Sequence, residues 1–173
     1  MRIVGVNGIN TNGEGNVDVL LHRMAALGYE TVDVRLPKRR ALSALWGGKS
    51  DGELIAAASQ DGDILVAHSF GGVRAFFAHR KMEYKHIILI APAHSRNAQW
   101  YNPRRVTCYF SPSDWIIRLG ASLPFHPFGN AGSMGYYQDH VTNISCRGAG
   151  HNDYFKGELL HEICARIHVL ASQ

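Results

Sequence analysis

The feature that most constrains the fold is the segment 63–72 (DILVAHSFGG), in which an apolar run leads directly to a serine followed by glycines. Residues 64–67 have the length and β-branched character of a strand, whereas residues 73–78 fit a helix. A strand that passes through a sharp turn into a helix, with a serine at the turn, is the layout of a nucleophile elbow. We therefore predict that Ser69 lies at a helix N-terminus, where unpaired backbone N–H groups favour negative charge.

The elbow also requires small residues near the serine, because the turn is tight. Gly71 meets this requirement on one side of Ser69. Ala67 stands on the other side, where such turns usually carry glycine, and departs from the pattern by one methyl group. Alanine is the mildest departure available, so the prediction of an elbow stands.

The size and composition of the chain predict one globular domain over residues 1–173. A length of 173 residues is enough for one sizeable core and short for two. Hydrophobic residues make up 46% of the chain and charged residues 18%, a balance that argues against disorder. The three cysteines, Cys108, Cys146 and Cys164, lie in apolar segments without metal-ligand spacing, which predicts reduced thiols in the core.

The chain shows neither a secretory leader nor an apolar run as long as a membrane span. We therefore expect a cytoplasmic protein without an integral membrane segment. The formal net charge is +4, but its basic clusters at residues 38–40 and 104–105 are short. Short clusters are typical of solvated surface, so nucleic-acid binding is not expected. Nucleotide binding is also disfavoured, since the sequence has neither a G-x-G-x-x-G pattern nor a P-loop lysine.

Strands alternate with helices along the chain, and the central strands are apolar throughout. This pattern predicts an α/β fold, a three-layer α/β/α sandwich around a mostly parallel sheet of about six strands. The predicted strands are residues 3–6, 31–36, 64–67, 86–91, 106–110 and 141–146, and the predicted helices are 17–27, closed by Gly28, then 50–60, 73–78 and 158–170. Residues 41–46 are predicted to form a separate short piece that ends at Gly47 and Gly48.

Two residues that could activate Ser69 follow later strands. A serine hydroxyl is a poor nucleophile that needs a neutral histidine to take its proton and a carboxylate to fix the histidine tautomer. Asp114 follows the fifth predicted strand, and His151, preceded by glycines, follows the sixth. Because open α/β sheets place their sites at the carboxyl ends of the strands, we expect both side chains near Ser69.

The elbow around Ser69, followed in order by Asp114 and His151, resembles the α/β-hydrolase family of serine hydrolases. The resemblance covers nearly the whole chain and implies a catalytic triad with Ser69 as nucleophile, His151 as base and Asp114 as acid. It also implies a minimal member without a cap, since the family's two leading antiparallel strands and the long cap insertion have no counterpart here. It does not identify a subfamily.

The resemblance further implies an oxyanion hole, in which two backbone N–H groups stabilise the charge on the reacting carbonyl oxygen. One N–H would belong to Phe70, directly after the nucleophile. The other would belong to Ile9, because residues 7–9 (Asn-Gly-Ile) stand where the family often has His-Gly-X. The asparagine keeps a polar side chain that could brace the loop, and Asn10 could assist in substrate binding.

Other residues could fill the same roles. Asp139 and Asp153 are alternative acids, and His68 and His94 are alternative bases. Asp114 could instead cap the helix that begins at the next residue.

The substrate site is predicted from the segment 121–137, in which prolines and glycines interrupt regular structure and aromatic residues recur. A long irregular loop of this kind is usually functional or mobile. We expect Phe125, Phe128, Tyr136 or Tyr137 to line the acyl site, with Leu45 and Trp46 on the opposite side. The alternative is that these aromatic side chains only pack the loop against the body.

These patterns together predict a serine hydrolase that cleaves a small-molecule or lipid-like carboxylic ester through an acyl-enzyme. No metal or organic cofactor is expected, and the oligomeric state is left open. A thioester or an amide could be the substrate instead, because the same groups cleave all three bonds. The alternative from another class is a binding protein that keeps the fold with an idle triad.

Overall fold

The computed structural model of the protein describes residues 1–9, 16–36, 41–122 and 128–173, without the side chains of residues 41–47 and Pro103. The chain forms six strands and six α-helices in these ranges. In chain order they are β1 (Arg2–Val6), α1 (Asn16–Ala26), β2 (Glu30–Asp33), α2 (Ala41–Ala58), β3 (Ile64–His68), α3 (Gly71–Ala78), β4 (His86–Ile90), β5 (Val106–Phe110), α4 (Trp115–Ser122), α5 (Ala131–Met134), β6 (Thr142–Ser145) and α6 (Gly157–Ser172). Short 3-10 helices cover Pro103–Arg105 and Asp153–Phe155.

The six strands form one sheet in the order β2-β1-β3-β4-β5-β6, and every neighbouring pair is parallel. The prediction of a mostly parallel sheet of six strands is therefore confirmed. The central strands β3 and β4 are buried along their whole length, as their continuous apolar sequences require, whereas the edge strands β2 and β6 are partly exposed. Parallel pairing brings the residues that follow β1, β3, β5 and β6 to the same edge of the sheet.

Helices cover both faces of this sheet, because successive side chains of a strand point to opposite faces. On one face, Ile64 and Val66 of β3 join the buried residues of α1 and α6 in one hydrophobic cluster. On the other face, Leu65 and Ala67 join Ile55 of α2 and the alanines of α3 in a second cluster. The result is the predicted three-layer arrangement.

The structure corrects one helix. Residues 41–46 and 50–60 were predicted as separate pieces, but α2 continues from Ala41 to Ala58 through the glycines. These glycines allow α3 to pack closely against α2. A Cβ on Gly52 would lie 2.5 Å from the Cβ of Phe77, and a Cβ on Gly48 would lie 3.2 Å from the aromatic ring of Phe77. Asp51, at the start of the predicted helix 50–60, is instead buried within α2.

The segment 121–137 is also more ordered than predicted, in the part that the structure describes. Helix α5 lies within it, and the backbone N–H groups of Gly129, Ala131 and Gly132 donate to the carbonyl oxygens of Ala93, His94 and Pro92 respectively. These bonds fasten the segment to the chain that follows β4, which positions Phe128 and separates it from Tyr136.

None of the helices in the described ranges combines the length and the apolar composition needed to cross a membrane.

Candidate active site

Ser69 lies at the predicted turn between β3 and α3, in a backbone conformation that L-residues rarely adopt. Its φ is 56°, in the left-handed region. Three hydrogen bonds hold it there: its N–H donates to the carbonyl of Ile90 (3.0 Å), and its carbonyl accepts from the N–H groups of Gly72 (3.0 Å) and Ala93 (2.9 Å). Strained backbone that the surroundings hold in place is typical of functional sites.

Steric crowding explains why small residues stand in the elbow and in the loop beside it. A Cβ on Gly71 would lie 2.7 Å from the carbonyl oxygen of Val6, the last residue of β1. A Cβ on Gly8 would lie 3.0 Å from the Cβ of Ser69 and 3.4 Å from its Oγ. The loop after β1 therefore passes directly beside the serine hydroxyl.

The structure brings Ser69, His151 and Asp114 together. The Nε2 of His151 lies 2.9 Å from the Oγ of Ser69, and its Nδ1 lies 2.7 Å from the Oδ2 of Asp114. The side chains of His151 and Asp114 are 9% and 0% exposed. With the carboxylate accepting from Nδ1–H, the neutral ring leaves Nε2 free to accept the serine proton.

Asp114 combines both roles considered for it. Its Oδ1 accepts from the N–H of Ile117 (3.1 Å) in the first turn of α4, while its Oδ2 faces His151. The alternative acids lie elsewhere: Asp139 is exposed, and the Oδ2 of Asp153 accepts from the N–H of Gly150 (2.8 Å). Asp153 thus braces the loop that carries His151.

The two alternative bases do not face the serine hydroxyl. The Nε2–H of His68 donates to the backbone carbonyl of His151 (3.1 Å). Burial, followed by the nearby His151, lowers the pKa of His68 to about 3, so this ring is neutral and holds the His151 loop. His94 lies in an aromatic cluster with Phe76 and Tyr136, where burial lowers its pKa to about 4.

The loop after β1 is braced by Asn7, as the sequence suggested. Its Oδ1 accepts from the N–H of Val17 (3.0 Å), and its Nδ2 donates to Asp18 (3.0 Å). The backbone N–H groups of Ile9 and Phe70, the predicted oxyanion donors, have no hydrogen-bond acceptor among the described residues. Both residues line the cavity above Ser69.

This cavity has a volume of about 490 Å³ and largely apolar walls. Ser69, His68 and His151 form part of its surface, and Phe128 contributes one wall, with its ring centroid 5.4 Å from that of Phe70. Helix α4, which was not predicted from the sequence to line the site, supplies Ile116, Ile117, Leu119 and Gly120. The signal was present, since a short helix that directly follows the acid carries apolar residues on more than one face.

Tyr136 corrects the predicted substrate site. It is 5% exposed and packs against Trp100 and His94 in the hydrophobic cluster of the α2–α3 face, away from the cavity. Tyr137 is exposed beneath the guanidinium of Arg96 and does not line the cavity either. The turn after α5 takes both residues away from Ser69. The predictions for Asn10 and Phe125, and for the side chains of Leu45 and Trp46, lie outside what the structure describes.

A buried ion pair, which was not predicted from the sequence, lies beneath the site. Arg74 of α3 donates from Nε to the Oδ2 of Asp51 on α2 at 2.9 Å, and the side chains are 3% and 0% exposed. The available signal was a charged residue within the otherwise apolar segment 73–78. Among the side chains that the structure describes, no group of His, Cys, Asp or Glu is arranged to hold a metal ion.

Comparison with known proteins identifies the fold. No protein-family model matches the chain, and no curated protein matches its sequence. Solved structures do match over nearly its whole length. The ydeN gene product of B. subtilis has a TM-score of 0.67 at 16% identity, with 99% of each chain covered. A hydrolase of the alpha/beta superfamily from Xanthomonas campestris has 0.66 at 14% identity, covering 99% of this chain and 98% of that one. The monoacylglycerol lipase of Paleococcus ferrophilus has 0.64 at 13%, covering 99% and 94%. At such identities the likeness establishes the fold alone.

Proposed function

We propose that this chain, which has the α/β-hydrolase fold, is a serine hydrolase that cleaves a carboxylic ester through an acyl-enzyme. The observation that carries the proposal is the continuous line of hydrogen bonds from Asp114 through His151 to Ser69, at the floor of an apolar cavity. A buried carboxylate, a histidine and a strained serine in this order meet the requirements for an activated hydroxyl nucleophile.

In the acylation step, the Oγ of Ser69 attacks the ester carbonyl carbon while Nε2 of His151 takes the hydroxyl proton. Asp114 holds the Nδ1–H tautomer and stabilises the imidazolium that forms. The N–H groups of Phe70 and Ile9 stabilise the oxyanion of the tetrahedral intermediate. The intermediate collapses when the C–O bond to the alcohol breaks, and His151 returns the proton to the departing alkoxide.

Deacylation repeats the sequence with water. His151 takes a proton from a water molecule, which attacks the acyl carbonyl, and then returns a proton to the Oγ of Ser69 as the carboxylic acid leaves. Thioesters and amides differ from esters only in the leaving group, so they stay alternative substrates for the same groups. The largely apolar walls favour an apolar acyl chain over a charged one. One of the structurally similar proteins is a monoacylglycerol lipase, and this likeness supports an ester as the substrate.

The proposal is tested by turnover of a series of p-nitrophenyl esters, with matched acyl thioesters and anilides, by the wild type and by Ser69→Ala. We expect ester hydrolysis that Ser69→Ala abolishes. Ser59→Ala is the matched control, because Ser59 is also buried but bonds to Ile55 and Tyr84 outside the cavity. Turnover equal in wild type and Ser69→Ala would contradict the proposal, and a folded wild type without turnover of any ester, thioester or anilide would favour a binding protein.

The cavity wall makes a prediction about acyl length. A Cβ on Gly120 would lie 3.7 Å from the ring of Phe128, in ordinary contact, so a larger side chain there fills the cavity without strain in the backbone. Gly120→Val should lower kcat/KM for octanoate relative to acetate by about 10-fold or more, the effect of losing a few methylene contacts. Phe128→Ala should shift the preference in the opposite direction.

The measurement is kcat/KM across the p-nitrophenyl ester series, together with the melting temperature of each variant. If both variants melt at lower temperature but keep the wild-type profile of acyl lengths, the cavity wall formed by Gly120 and Phe128 does not hold the acyl chain.

A further inference from the structure

The buried ion pair beneath the site touches the loop that follows β1. Besides its bond to Asp51, Arg74 donates from Nη1 to the carbonyl oxygens of Asn7 (3.1 Å) and Gly8 (3.2 Å). One guanidinium nitrogen therefore binds two successive carbonyls of the same loop. The planar guanidinium group presents its donors in a fixed arrangement, which lets it bind carboxylate and backbone together.

The bond from Arg74 to the carbonyl of Gly8 determines where the backbone N–H of Ile9 points. The C=O and N–H of a trans peptide point in opposite directions, and the chain has no cis peptide bond among the described residues. Because the carbonyl of Gly8 points towards Arg74, the N–H of Ile9 in the same peptide unit points away from Arg74. Ile9 lines the cavity and Arg74 does not, so this N–H faces the side on which the substrate would bind.

Arg74 also contacts the residue that carries the other proposed donor. Its guanidinium carbon lies 5.0 Å from the ring centroid of Phe70. Asp51 makes this placement possible, because a buried guanidinium without a counter-charge would be strongly disfavoured. One side chain of α3 therefore connects α2, the β1 loop and the elbow.

We propose that Arg74, held by Asp51, is the positioning residue of the oxyanion hole: it fixes the Gly8–Ile9 peptide so that the Ile9 N–H points at the reacting carbonyl oxygen. This inference rests on the proposed function, since it assigns a role within the same reaction. The competing explanation is that the ion pair only joins α2 to α3. A structural role of that kind would affect folding stability and would leave the transition state untouched.

The test is Arg74→Lys, which keeps the positive charge but cannot bind the carboxylate and two carbonyls in the same arrangement. We expect kcat to fall by about 10²-fold, the loss seen when one oxyanion donor is removed, with KM nearly unchanged. The inhibition constant of a trifluoromethyl ketone, whose tetrahedral adduct carries the oxyanion, should rise by a similar factor.

The matched control is Arg2→Lys. Arg2 also joins a carboxylate to a backbone carbonyl, through Asp63 (2.8 Å) and Ala58 (3.0 Å), but it lies at the opposite edge of the sheet. It should lower the melting temperature without changing kcat. A double variant, Asp51→Asn with Arg74→Met, removes both buried charges together and should show the same loss of kcat in a folded protein.

The outcomes separate the two proposals. If the wild type hydrolyses esters and the Arg74 variants keep wild-type kcat and ketone affinity, the positioning role is wrong while the proposed function stands. Equal losses in Arg74→Lys and Arg2→Lys would also overturn the positioning role, since they would indicate a general effect of stability. If the folded wild type neither turns over esters nor binds the ketone, the proposed function fails and the inference fails with it.

Discussion

Replacement of Ser69 or of His151 by alanine is expected to lower kcat by about 10⁶-fold, and the double replacement should be little worse than either alone. The reason is that the Nε2 of His151 lies 2.9 Å from the Oγ of Ser69, so the loss of either side chain leaves the other without its partner in proton transfer. The measurement is single-turnover and steady-state hydrolysis of one activated ester by the three variants. Losses that add in the double variant would indicate that the two residues act separately.

Asp114→Asn should lower kcat by about 10⁴-fold while the protein stays folded. The amide oxygen of asparagine can keep the bond to the N–H of Ile117, which leaves the NH₂ group facing His151. A donor at that position forces the ring proton onto Nε2, so the imidazole can no longer accept the serine proton. Asp153→Asn and Asp139→Asn are the controls, and a larger loss in either would show that the acid is misassigned.

As the pH is lowered, the protein is expected to unfold before its carboxylates begin to bind protons. Burial lowers the pKa of His68 to about 3 and those of His86 and His94 to about 4. A neighbouring group adds a smaller effect in the same direction: His151 acts on His68, Arg166 and Arg105 act on His86, and His79 acts on His94. An unfolded histidine binds its proton near pH 6.5, whereas these three folded side chains stay neutral. Stability is therefore complete above pH 6.5 and falls as the pH decreases towards 4.

The expected size of this effect is large. Each pKa unit corresponds to about 1.4 kcal/mol, so at pH 4 the three buried side chains together lose on the order of 10 kcal/mol, comparable to the whole stability of a typical domain. The measurement is the free energy of unfolding in urea from pH 7.5 to 4.5. His79 adds to the slope as well, since burial also lowers its pKa to about 4. His86→Gln, which can keep a bond to Thr107, should therefore reduce the slope between pH 6 and 5 by about one quarter. A stability that does not change between pH 7 and 5 would contradict the prediction.

The sequence predicted the parts of the site that depend on local pattern and order along the chain. The segment around Ser69 specifies strand, turn and helix by itself, and parallel strands place the residues that follow them at one edge. Asp114 and His151 could be assigned to that edge because each follows an apolar strand directly. The bracing role of Asn7 could also be expected, since a polar side chain next to a glycine-rich loop needs partners.

The missed features depend on contacts between elements that are distant in the sequence. The glycines of α2 suggest a break when the sequence is considered alone, but their role is to let Phe77 of α3 approach. Tyr136 and Phe128 have similar sequence surroundings. Helix α5 and the hydrogen bonds to the chain after β4 nevertheless place Phe128 at the cavity and Tyr136 in the hydrophobic cluster of the α2–α3 face. Arg74 could not be linked to residues 7–8 or to Asp51 without the tertiary structure, because no local pattern connects them.

The most direct test of the central claim, that Ser69 is an activated nucleophile, is the site of modification by a fluorophosphonate. The intact mass of the wild type should increase by one adduct, and peptide mapping should place it on Ser69. Ser69→Ala should stay unmodified, and His151→Ala should react far more slowly, because the hydroxyl loses its base. A folded wild type that does not react, or an adduct on any residue other than Ser69, would contradict the account.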